Sequence, residues 1–595
     1  MVAVPLRSYS MRLLPFLLIL ALAVFGVGLA LTVMWSGSAG PSTATSAARG
    51  AAGVTSPGVG EADGQWAPLL DGKPQGHVYA GAAGEPSDVN PFTTYDPLGR
   101  RLVLAYTHDT LLDHDPKSGE LRPALCESYE ISADGTTCTF TIREGLEFSD
   151  GSAVTMADVL FGWELAQAGH LALGYIGQGF ARILSVDSLD RRRFRVHFRG
   201  QHFAAVAAVG LHWMVAKKQF FIDCVQRRLP VGESMPAIDS ALFATLLDQV
   251  DEQCGPGTGP YQLLNDPTGV SNWDRRQELL LTRNDSSWRR EVRPGSWNFA
   301  GMRTLFRDQA GARNAVLRGE VDWYSGPELD LLLASNSKLA DGYQKLVYDY
   351  PELGCYRMIW NCKQAPFDDV RVRSAMGMLV NRSEVAKVFG GSAMAATAHA
   401  KLGSRAYPSV EPLSFDPAAA RGILREVGFD AGIGKPLRMT MLTYQGHEPT
   451  RRVVELFADA AKQAGIELEV HARESSGFVA EKAEGEWHGI LALQYFGPWG
   501  DPYRFLHSDG LQNIGSWSHP DADRLSEVAR RELDVARRSD IWRELHELAH
   551  REQPATLIVH PLASMLFNKN IEDCQPGPRG LKPNWGWVKP EHQRR

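Results

Sequence analysis

The chain has 595 residues, 44% of them apolar and 22% charged, an ordinary globular composition long enough for several domains with large cores. Its 62 basic and 69 acidic residues give a formal charge of −7. No basic stripe interleaves with aromatic residues, which excludes nucleic acid as an expected partner.

Residues 1–12 form a positively charged N-terminus in which Arg7 and Arg12 precede the uncharged run 13–35, "LLPFLLILALAVFGVGLALTVMW". At about 1.5 Å per residue that run is long enough to cross a hydrocarbon core of ~30 Å. It also exceeds the roughly 7–15 apolar residues of an ordinary signal peptide. The expectation is an uncleaved anchor with its positive end inside, and a signal segment cleaved after "GSA" (37–39) is the alternative. No cysteine precedes Cys126, which argues against a lipid-modified N-terminus. Residues 36–76 contain a run of small residues and scattered prolines and read as a flexible tether. The seven cysteines form no CxxC pair, and in an exported protein Cys224 with Cys254 is the expected disulfide.

From residue 77 strand and helix signals alternate. The stretch "SYEISADGTTCTFTIREGLEFSDG" alternates around Ala133-Asp134-Gly135 as a hairpin, and "TMADVLFGWELA" (155–166) opens as a helix capped by Thr155 with Asp158 three residues on. Further along, "LRMTMLTY" (437–444) reads as a strand. "TRRVVELFADAAKQAG" then places Val453, Val454, Phe457, Ala460, Ala461 and Ala464 on one helical face, before the strand "IELEVHA" (466–472). Strand, helix, strand at this spacing predicts a parallel pair with a crossover helix.

The apolar run "HGILAL" (488–493) predicts a buried strand leading into "QYFGPWGDPYRFLHSDG" (494–510). A strand that ends in a glycine-rich aromatic turn is where open α/β sheets present groups to ligands. Tyr495, Phe496, Gly497, Pro498, Trp499 and Asp501 are therefore candidate ligand contacts. The alternative is a packed connection whose aromatic residues only fill a core.

One motif points to metal chemistry. "HELAH" (546–550) matches HExxH, in which two histidines four apart on one helical face share a zinc ion and the glutamate, here Glu547, acts as general base. Its segment "DIWRELHELAHREQP" carries an apolar stripe of Ile541, Leu545, Leu548 and Ala549. No third ligand follows at a suitable spacing, so helix-flanking histidines are the expectation and a zinc protease the remote alternative. With no GxSxG elbow, Walker loop or dinucleotide-binding glycine pattern, no enzyme, metal or cofactor is expected.

A series of segments resembles the family 5 extracellular solute-binding proteins, the oligopeptide- and dipeptide-binding components of ABC transporters. They are "DVNPF" (88–92), "LLDHDPKSGELRPALCESYEISADGTTCTFTIREGLEFSDGSAVTMADVLFGWE" (111–164) and "GTGPYQL" (257–263). These are followed by "LLLTRNDSSW" (279–288), "LRGEVDW" (317–323), "APFDDVRVRSAM" (365–376) and "FDPAAARGILREVGF" (415–429). Most of these residues are expected to shape the fold: Asp150-Gly151 as a turn, Gly257 and Gly259 as close backbone approaches, Arg371 and Arg373 as structural ion pairs.

The resemblance implies an α/β, two-lobed periplasmic-binding-protein-like fold. Lobe I would span 77–347, with an extra subdomain at about 108–240 and a return at 559–595; lobe II would span 348–558. It implies a monomeric receptor, periplasmic or extracytoplasmic and held at the membrane by residues 13–35, that passes a peptide or similar small solute to ABC permease subunits. The loop matching 494–510 lines the cleft in peptide binders and carries an aspartate that pairs with the ligand's α-amino group. Here Pro498 and Trp499 stand in that place, so the charge partner is absent and Asp501 either replaces it or braces the turn. A tryptophan that peptide binders carry upstream is also missing from the segment Glu474 to Phe478. First-lobe contacts are expected from Tyr95, Asp96, Pro97 and Leu98. Nickel-chelate and oligosaccharide binders depart from the peptide pattern in comparable places, so a metal chelate or oligosaccharide is the alternative solute.

Overall fold

The computed structural model describes residues 77–593 except 95, 116–119, 170–179, 251–252, 265–271, 294, 327–328, 349–353, 390–392, 497–499, 575, 578–579 and 582–585. The expected anchor at 13–35 and the tether at 36–76 lie outside these residues, and no helix among the described residues is long and apolar enough to cross a membrane.

Three sheet systems carry the fold. The first is a four-stranded antiparallel sheet in which Cys126–Ile131, Thr137–Ile142, Arg193–Phe198 and Ile183–Ser188 lie side by side in that order. Its hairpin turns at Asp134, whose carboxylate accepts from the Thr136 amide at 3.1 Å, and at Gly135 with φ +66°. Alternation puts Cys138, Phe140 and Ile142 inside against Phe194 and Val196. The helix Met156–Gln167 closes this core with Phe161 and Leu165, and starts with the predicted Thr155/Asp158 capping box.

The second system joins the start of the described chain to its end. Val78–Ala83 pairs in parallel with Gly301–Phe306, which pairs antiparallel with Glu278–Arg283. Beside it Ala563–Asn568 returns to pair with Tyr343–Tyr348 and Trp323–Tyr324. The buried Asp322 ties these segments together, accepting from the Ala80 amide and from Asn568 Nδ2 at 2.8 Å each, with His77 Nε2 at 3.1 Å. Gly257 and Gly259 pass so close to the Tyr106–Thr107 backbone that a Cβ would sit 1.9 and 2.4 Å from carbonyl oxygens. In the "LLLTRNDSSW" segment, Trp288 Nε1 donates to the buried Asp109 at 2.7 Å, a structural role.

The third system is a six-stranded mixed sheet ordered Met394–Ala395, Ala555–His560, Cys355–Trp360, Gly489–Gln494, Leu437–Tyr444, Ile466–Arg473. The predicted strand–helix–strand unit is present: Leu437 to Tyr444 pair in parallel with Ile466 to Arg473, and the crossover helix Glu448–Ala464 buries all six predicted residues. Gly465 ends that helix in the left-handed region at φ +84°. Cys355–Trp360 is buried along its whole length because both faces are covered. Tyr356, Met358 and Trp360 join the core under the crossover helix, while Cys355 and Ile359 face the opposite layer.

The expected disulfide is not formed. All seven cysteines are free, and Cys224 and Cys254 belong to different hydrophobic clusters. Cys224 Sγ instead meets Gln253 Oε1 at 3.3 Å and the Arg227 guanidinium at 3.0 Å. Of the two motif arginines, Arg371 pairs with Asp369 at 2.6 Å; Arg373 is buried on the carbonyls of Phe367, Asp368, Glu552 and Gln553, with the Glu552 carboxylate 3.8 Å away.

Candidate ligand-binding site

The strand Gly489–Gln494 ends where Cys355 begins its antiparallel partner, with Gln494 opposite Cys355. Gly354 makes this edge possible: it has φ +74°, and a Cβ on it would lie 1.7 Å from the Gln494 carbonyl oxygen. Only glycine supplies both the left-handed backbone and the clearance. Gln494 then turns inward, its Nε2 donating to Gln512 Oε1 at 2.8 Å, and fixes the loop that follows.

Within that loop the residues divide. Phe496 is 4% exposed, packed edge-on against His560 at 5.6 Å and His399 at 6.0 Å, so it fills a core. Tyr495 is half-buried, and burial pushes its phenol up to about 12. It lies near enough to Tyr356 to raise that buried phenol further, and Tyr356 stacks at 6.4 Å on His447, which caps the crossover helix. Gly497, Pro498 and Trp499 lie outside the described residues.

Asp501 is engaged by its own surroundings. One carboxylate oxygen accepts from the Tyr503 amide at 3.1 Å, and the other takes Arg530 Nε at 2.8 Å. The Arg530 guanidinium also lies 3.3 Å from the centre of the Tyr503 ring, so turn, aromatic ring and helix Pro520–Arg531 are clamped together.

In the other predicted loop, Tyr95 lies outside the described residues. Asp96 holds its own turn, accepting from the amide and hydroxyl of Ser87 and, at 2.8 Å, from the amide of Leu98. Pro97 opens the short helical turn Pro97–Gly99, and Leu98 is half-buried near Gly84.

Sequence reasoning missed a contact beside Asp501. The Phe203 amide, just beyond the four-stranded sheet, donates to the Arg530 carbonyl at 2.9 Å. Its ring stands edge-on to Trp542 at 5.2 Å under the Arg538 guanidinium at 4.4 Å. Arg182 approaches from the same side, its pKa lowered by burial and Arg530 and supported by Asp501. The only available sequence signal was an aromatic residue directly after the polar "RGQH", too common to single out.

"HELAH" sits in the helix Val535–Glu552. His546 is 1% exposed, its Nδ1–H donates to the Ala406 carbonyl at 3.0 Å, and burial lowers its pKa to about 4. His550 is half-buried, while Leu545, Leu548 and Ala549 form the buried stripe. Among the described residues no group of three or more His, Cys, Asp or Glu side chains is placed to hold a metal ion.

Comparison with known proteins agrees with this architecture. The model of the bacterial extracellular solute-binding proteins, family 5 Middle, matches residues 120–516. The dipeptide-binding protein of Escherichia coli (strain K12) is 24% identical over 528 residues, covering 84% of this chain and 91% of that protein. The oligopeptide-binding protein AppA from Bacillus subtilis, solved with a nonapeptide, superposes with a TM-score of 0.64 at 19% identity over 87% of this chain and 100% of that one. NikA from Staphylococcus aureus, solved with Ni(L-His)2, gives 0.60 at 15% identity, again over 87% of this chain and 100% of that one. These likenesses place the mixed α/β architecture among two-lobed binding proteins. Because the family model spans well over half of the sequence, the chain belongs to the bacterial extracellular solute-binding proteins of family 5.

Proposed function

We propose that this protein is the extracytoplasmic receptor of an ABC importer and captures a peptide between two lobes, without chemistry of its own. Lobe I would comprise 77–347 with the subdomain at about 108–240 and the return 559–595, and lobe II 348–558. The uncharged run 13–35 would hold a monomer at the membrane, facing its permease. Family membership supports the class, and the dipeptide- and nonapeptide-binding relatives support the ligand.

The observation that carries the binding mode is the state of the two acids. Asp96 is satisfied by Ser87 and Leu98, and Asp501 by Arg530 and Tyr503. Neither is free to pair with an α-amino group, and position 498 is proline. Recognition would rest instead on the faces of Tyr495 and Trp499, on backbone groups around Gly497 and Pro498, and on the 95–98 loop across the cleft.

Calorimetry on the full chain with matched free and N-acetylated peptides tests this. A charge-assisted hydrogen bond contributes about 1.5–3 kcal/mol, so its absence removes roughly ten- to a hundredfold of preference for the free amine. Comparable affinities are expected, and Pro498→Asp is expected to create a preference. Strong discrimination by the wild type against the acetylated form would refute the mode. A nickel–histidine chelate belongs in the same assay, because the missing acid removes the feature that marks peptide binders; tighter binding of the chelate than of any peptide would replace the ligand assignment.

A further inference from the structure

Arg357 lies in the middle of the central strand Cys355–Trp360 and is 2% exposed. On the face opposite the crossover helix its guanidinium adjoins a cavity lined by Ile359, His399, Phe505, Leu506, Gln512 and Ala555, among others, with no aspartate or glutamate in the lining. Nη1 is 2.6 Å from His399 Nε2, and Nη2 reaches the Gln512 carbonyl at 3.4 Å. Nε is buried without a hydrogen-bond partner. Among the described residues no carboxylate comes within ion-pairing distance of Arg357.

A guanidinium does not discard its proton in a protein, so this is a fixed positive charge away from water. Its neighbour does not neutralise it. His399 accepts through Nε2, which makes it the neutral Nδ1–H tautomer, and burial together with Arg357 holds its pKa well below the ordinary value. Phe505 covers one face of the guanidinium at 5.2 Å and contributes a ring quadrupole but no counter-charge. The adjoining cavity shares His399, Pro554 and Ala555 and is likewise free of acids. There the half-buried Arg382 donates to the carbonyls of Leu413 and Leu557, with no acid paired to it among the described residues.

We propose that the cavity beside Arg357 is a binding site for a small monovalent inorganic anion of the size of chloride, held by the guanidinium edge that carries Nε–H. The donor count selects this class. A sulfate or phosphate has oxygens that each demand donors, whereas the walls here are largely the apolar Ile359, Phe505, Leu506, Pro554 and Ala555. A halide needs only one or two N–H groups and tolerates such walls. The cavity shares Phe505 and Leu506 with the segment 494–510 but none of the ligand contacts proposed at 495–501, so its failure would leave the peptide-binding reading untouched.

The test uses the full chain purified in detergent in gluconate buffer, with chloride or bromide replacing gluconate at constant ionic strength. An anion that binds only the folded state raises the melting temperature by mass action. A rise of about 1 °C per tenfold increase in halide above its dissociation constant is expected. Arg357→Met should fold, because an apolar side chain of similar length removes an unpaired buried charge, and should lose the halide dependence. Crystals of the wild type soaked in bromide should show an anomalous peak beside Arg357 Nε. Equal melting in gluconate and halide, a halide response retained by Arg357→Met, or only water beside Nε in the bromide-soaked crystal would each overturn the proposal.

Discussion

The contact at Phe203 makes a quantitative prediction about opening and closing. Phe203 lies in the segment that follows the four-stranded sheet, and its ring touches Trp542 and Arg538 on the helix Val535–Glu552, which packs on the six-stranded sheet side. Truncation to alanine removes an edge-to-face aromatic pair, about 0.5–1.5 kcal/mol, and a partly exposed cation–π contact, about 0.5–1 kcal/mol. The hydrogen bond from the Phe203 amide to the Arg530 carbonyl survives because it is made by the backbone. The combined loss of about 1–2.5 kcal/mol shifts the equilibrium between touching and separated forms by about 5- to 60-fold. On the proposed mode, with ligand held between the two bodies, the ligand would bind the touching form and its apparent affinity would weaken by up to the same factor. Calorimetry with a peptide bound by the wild type measures the affinity, and small-angle scattering of the ligand-free protein measures the opening. Phe203→Tyr keeps the ring and should restore both. If Phe203→Ala leaves affinity and scattering unchanged, the contact does not govern closure.

Three further outcomes follow from single residues. Gly354→Ala forces a Cβ to within 1.7 Å of the Gln494 carbonyl at φ +74°, so thermal denaturation should show a loss of about 2 kcal/mol or more. Phe457→Ala empties a fully buried position under the crossover helix and should cost about 3–5 kcal/mol in urea titration, with an unchanged m-value. Burial lowers His108, His212, His546 and His560 to about 4 each, so the folded state resists protons that the unfolded state takes up near 6.5. Stability is then full above pH 6.5 and is lost as pH falls from 6.5 towards 4, with a slope that His546→Gln should reduce; a flat profile across that window would refute the burial argument.

Legibility in the sequence tracked how local the determinants are. The unit 437–473 was readable because a clean two-residue period, a 3.6-residue stripe and a terminal glycine act within one stretch of chain, and each survives in the fold. The Thr155 and Asp158 cap was readable for the same reason. Long-range determinants were not. Asp322 gives no sign in "LRGEVDW" that it will bridge His77, Ala80 and Asn568. Phe203 and Trp542 meet only once two separate cores have formed. The expected pair Cys224 and Cys254 is not made, because the fold sends the two into different clusters. In the loop 494–510 the aromatic content was visible, whereas the division of labour depended on burial: Phe496 faces the core and Tyr495 is only half-buried.

On the proposed binding mode, the charges around the loop 494–510 bear on what it would select. Asp501 has Arg530 on one oxygen, which offsets its charge, and a backbone amide on the other, which holds its orientation, so it is committed to the turn before any ammonium group arrives. Freeing it would break the clamp that joins the turn to Tyr503 and the helix Pro520–Arg531, so turn geometry and amine recognition compete for the same group. Behind the loop the balance runs the other way, since Arg357 is buried and Arg382 half-buried with no acid against either among the described residues. Removing Arg530 should therefore not turn Asp501 into an amine receptor so much as unfasten the turn: Arg530→Gln is expected to weaken acetylated and free peptides alike, the opposite of the selective gain expected from Pro498→Asp.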